Sequence, residues 1–162
     1  MGTSRALQIL QLIVSIIVCQ LAGLIGALFT ARAIPAWYAT LRKPSLTPPG
    51  SVFGPVWGSL YLLMGIAAFL VWRQGLREPR VRTALALFGV QLLLNAAWSP
   101  VFFGLRSPLA GLAVIVPLWF AVLATIIAFF RVSRAAGALM LPYILWASFA
   151  VVLNYLIFLM NP

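Results

Sequence analysis

The sequence predicts an all-α membrane protein, namely a five-transmembrane-helix bundle with a long ordered first loop. Of its 162 residues, 64% are hydrophobic and 7% are charged, whereas soluble domains carry about a quarter charged residues. Five apolar stretches are each long enough to cross about 30 Å of hydrocarbon as a helix. Four of them follow one another through short connections, and residues 30–51 form the one long connection.

The five apolar stretches leave little chain for anything else. We place the helices at residues 6–29, 52–72, 83–103, 109–130 and 135–160. No separate soluble domain fits between them, so we expect residues 1–162 to form a single transmembrane domain. The first stretch is longer than the apolar part of a usual signal peptide, and we expect it to be retained as a helix.

The charged and reactive side chains exclude most enzyme classes. Lys and Arg number 11, Glu78 is the sole acid, and the chain has no His. Paired carboxylates, a Ser-His-Asp triad and Cys/His zinc sites therefore lack their residues, and we expect no metal site and no required cofactor. Cys19 is the sole thiol, and its apolar surroundings favour a small buried hydrophobe over a reactive group.

The basic residues indicate membrane anchoring and orientation. They lie in the connections between apolar stretches, which is typical of anchors that flank transmembrane helices and not of a nucleic-acid interface. More of them fall on the side of the amino terminus, which would place that terminus in the cytoplasm if the protein lies in an inner membrane. Because the rule says little about an outer membrane, inner and outer membranes both stay open.

The long first connection is predicted to be an ordered lid. A loop of this length inside a compact domain is usually functional or disordered. Here Pro44 and Pro48 stiffen the chain, and Trp37 and Tyr38 supply apolar anchors. We therefore expect residues 30–51 to cover a ligand pocket between the helices.

Three helices carry aromatic and polar residues at helical spacing, which places each set on one face. The sets are Phe53, Trp57 and Tyr61; Gln91, Asn95, Trp98, Ser99 and Phe102; and Tyr143, Trp146, Ala150, Leu153 and Asn154. An amide in hydrocarbon needs a hydrogen-bond partner, so the three amides should point inward and be paired. Each residue alone is compatible with simple helix packing, but together the sets predict an apolar cavity for a flat ligand.

Four ordered motifs resemble the TspO/translocator protein family, which is also named tryptophan-rich sensory protein and peripheral-type benzodiazepine receptor. The motifs are WYATLRKPSLTPP at 37–49, FGPVWGSLYLLMG at 53–65, QLLLNAAWSPVFFG at 91–104 and PYILWASFAVVLNY at 142–155. They extend in the family's order from the first loop to the last helix. Departures from the vertebrate motifs, described below, favour a bacterial member, so we expect a multi-pass protein of a bacterial cell membrane.

The resemblance implies a five-helix bundle, commonly a homodimer, that binds tetrapyrroles such as protoporphyrin IX, sterols and synthetic drug-like ligands. The pocket positions that match by motif are Phe53, Trp57, Asn95, Trp98, Trp146, Ala150 and Leu153, and the helical stripe adds Tyr61. Some bacterial members are reported to degrade porphyrin under light with the help of tryptophans, and Trp57 and Trp146 match those positions. Because an excited porphyrin can take an electron from tryptophan, this chemistry needs no acid or base.

Departures from the family pattern weaken the expectation of sterol transport. The family's proposed cholesterol motif requires Lys or Arg after the tyrosine, whereas Tyr155 is followed by LIFLMNP. Leu46 and Thr47 stand where vertebrate members have Trp-His. These departures favour the binding of tetrapyrroles, as in bacterial members, over the transport of sterols.

Three functions therefore stay open. The first is a receptor or transporter for porphyrins, including protoporphyrin IX and haem-like tetrapyrroles. The second is Trp-dependent photo-oxidative degradation of porphyrin, which would make the protein enzyme-like. The third is a scaffold whose cavity holds a lipid or sterol.

Overall fold

The computed structural model describes residues 4–162, and this part of the chain is a bundle of helices. Five helical segments are long and apolar enough to cross a membrane, and they run Arg5–Tyr38, Gly50–Trp72, Pro79–Gly104, Pro108–Val132 and Arg134–Met160. The predicted fold class, an all-α bundle of five membrane-spanning segments, is confirmed.

Two of the five segments end in a widened, π-helical turn, and the last segment is broken once. The elements are α1 (Arg5–Ala33) with a π-helical turn (Ile34–Tyr38), α2 (Gly50–Trp72), α3 (Pro79–Ser99) with a π-helical turn (Pro100–Gly104), α4 (Pro108–Val132), α5 (Arg134–Leu139) and α6 (Leu141–Met160). Between residues 4 and 162 these helices are joined by turns and irregular connections.

The helix starts follow from local sequence. Ser4, Ser107 and Ser133 precede α1, α4 and α5, and each hydroxyl accepts a hydrogen bond from a backbone N–H of the first turn. These bonds satisfy donors that have no partner inside the helix. Prolines occupy the first turn of α3, α4 and α6, where their missing N–H costs nothing.

The first helix is longer than predicted and the first loop is shorter. The prediction ends the first helix at residue 29 and assigns residues 30–51, including Pro35, to the loop, and proline lacks the N–H that an α-helix requires. In the structure the backbone instead widens into the π-helical turn Ile34–Tyr38 and the helix continues. The irregular connection is confined to residues 41–49.

The last segment contains a break that the prediction of one helix over 135–160 missed. Met140 lies in a turn between α5 and α6. Pro142 follows in the first turn of α6, so it begins a helix and does not kink the interior of one. Pro55 and Pro117, by contrast, lie inside α2 and α4.

Small residues bring α1 close to its neighbours. A Cβ added at Gly65 of α2 would lie 2.7 Å from the Ile16 Cα of α1, and the Tyr61 ring packs directly on Gly23. Farther along α1, Gly26 faces the Ser99 side chain of α3. The small residues of the first helix therefore serve packing within the chain, as is common in membrane bundles.

The remaining packing closes the bundle around a core. In addition to the contacts of α1 with α2 and α3, α4 packs on α3 and on α6. The outward face of α1 stays apolar and exposed, with Leu10 at 57% and Ile13 at 48% exposure. Such a face is suited to contact with hydrocarbon.

Candidate ligand cavity

A cavity of about 590 Å³ lies among the helices, on the side of the bundle where the first loop lies. It is lined mainly by α1, α2, α3 and α6, with Ile115 and Leu118 from α4. All eight residues predicted for the pocket line it: Phe53, Trp57, Tyr61, Asn95, Trp98, Trp146, Ala150 and Leu153. Most residues of the three stripes thus face one space, as their spacing indicates, whereas Gln91 and Tyr143 do not line it.

Aromatic rings from α2 and α6 form one side of the cavity. Trp57 is stacked on Tyr61, with 5.6 Å between ring centroids and an angle of 28°. Trp146 meets Trp57 edge to face at 6.5 Å and 89°, and Phe53 meets Trp146 at 6.1 Å. The rings therefore present both faces and edges, which are the two geometries that aromatic ligands use.

Asn95 holds two tyrosines at the base of this aromatic group. Its Oδ1 accepts a hydrogen bond from the Tyr61 hydroxyl, and its Nδ2 donates to the Tyr143 hydroxyl at 2.6 Å. All three residues are buried, and Tyr61 and Asn95 line the cavity while Tyr143 does not. The network joins α2, α3 and α6 through one amide.

Asn154 performs a similar role for Trp98. Its Oδ1 accepts from Trp98 Nε1 at 3.2 Å, and its Nδ2 donates to the Pro108 carbonyl at 2.8 Å. Trp98 is also stacked on Phe102, at 5.1 Å and 24°. Both the position and the tilt of the indole are thereby fixed.

Gln91 departs from the prediction that all three buried amides are paired. The side chain is fully buried, and neither its Nε2 nor its Oε1 has a hydrogen-bond partner within residues 4–162. It lies one turn before Asn95 on α3 but does not line the cavity. The prediction failed because periodicity gives the face of a helix but not the partner across it.

Trp146 carries another unpaired group. Its indole Nε1 is buried and has no acceptor in the described chain. Since Trp146 lines the cavity, an acceptor on a bound ligand is one way to satisfy this donor.

The predicted lid is only partly correct. Of its four residues, Tyr38 lines the cavity, whereas Trp37, Pro44 and Pro48 do not. Trp37 packs on Phe102 at 5.6 Å instead, because the π-helical turn extends the helix and turns its ring into the bundle. Pro44 and Pro48 lie in the irregular connection 41–49, outside the lining of the cavity.

The connection 41–49 is nevertheless anchored. The Asn161 Oδ1 accepts from the Arg42 N–H at 3.0 Å, and its Nδ2 donates to the Arg42 carbonyl at 2.9 Å. Lys43 Nζ donates to the carbonyls of Tyr38 and Leu41 at 2.7 and 2.9 Å. The loop is thus tied to the end of α6 and to the turn that carries Tyr38.

Several cavity residues were missed from the sequence. On α1 they include Gln20, whose Nε2 donates to the Gly58 carbonyl at 3.2 Å, and Thr30, whose hydroxyl lies 3.2 Å from the Ser99 hydroxyl. Both line the cavity. Polar residues on an otherwise apolar helix are the signal that would have found them.

Comparison with known proteins agrees with the motifs. The family model described as TspO/MBR family matches residues 15–160. The chain is 44% identical over 155 residues to the tryptophan-rich protein TspO of Chlorobaculum tepidum, covering 96% of this chain and 98% of that one. It is 42% identical over 133 residues to the translocator protein of Homo sapiens, covering 81% and 78%.

A third relative has a similar sequence identity. The tryptophan-rich sensory protein of Cereibacter sphaeroides is 42% identical over 120 residues, covering 74% of this chain and 73% of that one. The relatives from bacteria, with the five membrane-spanning segments, support a bacterial multi-pass integral membrane protein, as predicted. The chain belongs to the TspO/MBR family.

Proposed function

We propose that the protein binds porphyrins, such as protoporphyrin IX and haem-like tetrapyrroles, and related flat hydrophobic ligands, and that it acts as a receptor or transporter in tetrapyrrole regulation. The observation that carries the proposal is the cavity of about 590 Å³ lined by aromatic rings from three helices. Pockets for small organic ligands commonly measure about 300–1,000 Å³ and are mostly apolar with a few polar groups.

The ring geometry favours a planar ligand. The indole planes of Trp57 and Trp146 are close to perpendicular, at 89°. A flat macrocycle can therefore stack on one indole while meeting the edge of the other. Most polar side chains of the cavity are engaged within the chain, as Asn95 and Asn154 are, which leaves a largely apolar surface for the ring.

The charge at one end of the cavity suits the carboxylates of a tetrapyrrole. Lys43 Nζ lies 4.9 Å from the centroid of the Tyr38 ring, and Tyr38 lines the cavity. Arg42 adjoins Lys43, and the sole acid, Glu78, is at the other end of the bundle. An anionic substituent directed toward the first loop would thus meet positive charge.

The proposal is tested by filling the cavity. Ala150 lines it, so Ala150→Phe should occupy the space of the ligand and weaken binding of protoporphyrin IX at least about tenfold, equivalent to about 1.4 kcal/mol. Binding is measured in the dark on the purified protein in detergent, by quenching of tryptophan fluorescence.

Val152→Phe is the matched control. Val152 lies on the same helix, is 51% exposed and does not line the cavity, so the same substitution there should leave the affinity unchanged. Equal affinity of both variants and the wild type would show that porphyrin binds elsewhere. Equal loss in both would indicate general disruption of α6.

A second candidate function is photo-oxidative degradation of the bound porphyrin. It is favoured by the contact of Trp57 with both Trp146 and Tyr61, at 6.5 and 5.6 Å between ring centroids. In this account the light-excited porphyrin takes an electron from an indole, and dioxygen is the terminal oxidant. The closely spaced rings offer neighbouring sites over which the resulting radical can be shared.

Illumination distinguishes this function from binding alone. We expect wild-type protein with protoporphyrin IX and dioxygen to form a new absorbing product, and Trp57→Phe and Trp146→Phe to form little of it while retaining dark binding. Trp72→Phe, outside the cavity, should behave as the wild type. If the wild-type protein forms no product, photo-oxidative degradation is excluded and the receptor or transporter function is the one that we retain.

A scaffold that holds a lipid or sterol is the third hypothesis. It predicts that cavity substitutions change stability and that no saturable porphyrin binding exists. Tyr155 of the incomplete cholesterol motif is 50% exposed and does not line the cavity, which gives no support to a sterol site there. Homodimer formation also stays a prediction.

A further inference from the structure

A second cavity, which we call the arginine groove, lies outside the aromatic one. It measures about 380 Å³ and is lined by Leu28, Phe29, Arg32, Phe103, Gly104 and Arg106, together with Ala33. Arg32 is in the last turn of α1, and Arg106 follows the π-helical turn after α3. The groove therefore joins two chain segments at the end of the bundle where the first loop lies.

The turn after α3 packs closely on the Phe29 ring of α1 at the groove. A Cβ added at Gly104 would lie 3.3 Å from the Phe29 ring, so glycine lets the turn after α3 approach α1. Two residues later Arg106 adopts a φ of 51°, a left-handed conformation that residues with a side chain rarely take. The fold thus places the second arginine in the same groove as the first at a conformational cost.

The two arginines have no negative partner among residues 4–162, which the structure describes. Neither guanidinium forms an ion pair or hydrogen bond with another side chain or carbonyl in the part of the chain that the structure describes. Glu78 lies in the connection between α2 and α3, at the opposite end of the bundle. Two like charges in one groove repel each other, so a bound anion would stabilise the arrangement.

The surroundings of the groove are those of a membrane boundary. Leu28 is 61% exposed and Leu105 is 68% exposed, and both flank the arginines on an outward apolar surface. Basic residues at the ends of transmembrane helices lie near the level of lipid headgroups. An anion that meets the groove there would be attached to a hydrocarbon chain.

We propose that the arginine groove binds the phosphate of an anionic phospholipid. Arg32 and Arg106 donate forked hydrogen bonds to the phosphate oxygens, a geometry that guanidinium groups favour. The acyl chains lie along Leu28, Phe29 and Leu105. The site adjoins the aromatic cavity, with which it shares Phe103, but it does not depend on the function proposed for that cavity.

Lipid binding by the purified full chain in detergent tests this proposal. Phosphatidylglycerol is titrated and retained lipid is counted by native mass spectrometry, with phosphatidylcholine as the zwitterionic comparison. Removing two positive charges near the headgroups with Arg32→Gln/Arg106→Gln should weaken phosphatidylglycerol binding about 10- to 30-fold. Binding of phosphatidylcholine and of protoporphyrin IX should stay unchanged.

Two further variants keep the outcome interpretable. Arg77→Gln/Arg80→Gln removes the same charge from the opposite end of the bundle and should retain the wild-type affinity. Arg32→Lys/Arg106→Lys keeps the charge without the forked donors, so we expect an affinity for phosphatidylglycerol between those of the wild type and the Gln variant. This variant keeps the test informative if the Gln variant folds poorly.

Three results would overturn the proposal. Equal phosphatidylglycerol affinity in the wild type and the Arg32→Gln/Arg106→Gln variant would show that the groove is not the site. If Arg77→Gln/Arg80→Gln lost as much phosphatidylglycerol affinity as Arg32→Gln/Arg106→Gln, the lipid would be attracted by net charge alone. Binding of glycerol phosphate as tight as that of the lipid would identify a site for small anions.

Discussion

Replacing Asn95 with Leu is expected to lower the free energy of unfolding by about 2–4 kcal/mol. Asn95 accepts a hydrogen bond from the Tyr61 hydroxyl and donates one to the Tyr143 hydroxyl. Leucine has nearly the same shape but leaves both hydroxyls buried without this partner. The loss is measured by thermal or denaturant unfolding of the purified protein in detergent.

Gln91 supplies the matched control on the same helix. It is as deeply buried as Asn95, but its amide has no partner in the described chain. Exchanging an unpaired amide for an apolar group of similar volume removes a desolvation cost, so Gln91→Met should leave stability unchanged or raise it. A loss from Gln91→Met as large as that from Asn95→Leu would contradict the network described for Asn95.

Replacing Gly65 with Ala is expected to lower stability by about 1–3 kcal/mol, the usual range for overpacking. The added methyl group would lie 2.7 Å from the Ile16 Cα. Because this neighbour is backbone and not the end of a flexible side chain, α1 and α2 must move apart. The same unfolding measurement in detergent checks the loss.

Gly89 is the control for this substitution. It lies within α3, and no heavy atom comes within 4 Å of a Cβ placed there. Ala favours a helix over Gly by about 1 kcal/mol, so Gly89→Ala should raise stability slightly. If Gly65→Ala also raised it, the close approach of α1 to α2 would be wrong.

The fold was largely predictable because few backbone structures can cross the hydrocarbon core of a membrane. Apolar length alone located the five membrane-spanning segments, since only closed hydrogen-bonding patterns such as helices can cross a bilayer. The errors lie at the end of the first helix, which continues past residue 29 through Pro35, and at Met140. Proline signals a break in an α-helix, but it does not reveal whether the chain leaves the helix or widens into a π-helical turn.

The cavity was predictable to the extent that helical spacing fixes a face. Phe53, Trp57 and Tyr61 face the same space because residues four apart lie above one another. Spacing gives no information about contacts between helices. It therefore did not show that the Gln91 amide has no partner in the described part of the chain, or that Tyr61 packs on Gly23.

The first loop illustrates the same limit. Trp37 and Tyr38 are adjacent and equally aromatic, yet Tyr38 lines the cavity and Trp37 packs on Phe102. Their different roles follow from the π-helical turn, which sets the direction of each side chain. A prediction that treats residues 30–51 as one loop has no means to separate them.

A structure of the protein with protoporphyrin IX bound tests the central claim most directly. We predict that the macrocycle lies in the cavity of about 590 Å³, in contact with the indoles of Trp57 and Trp146, with its carboxylates directed toward Lys43. A macrocycle bound on the outward face of α1, or an empty cavity at saturating porphyrin, would contradict the proposed function.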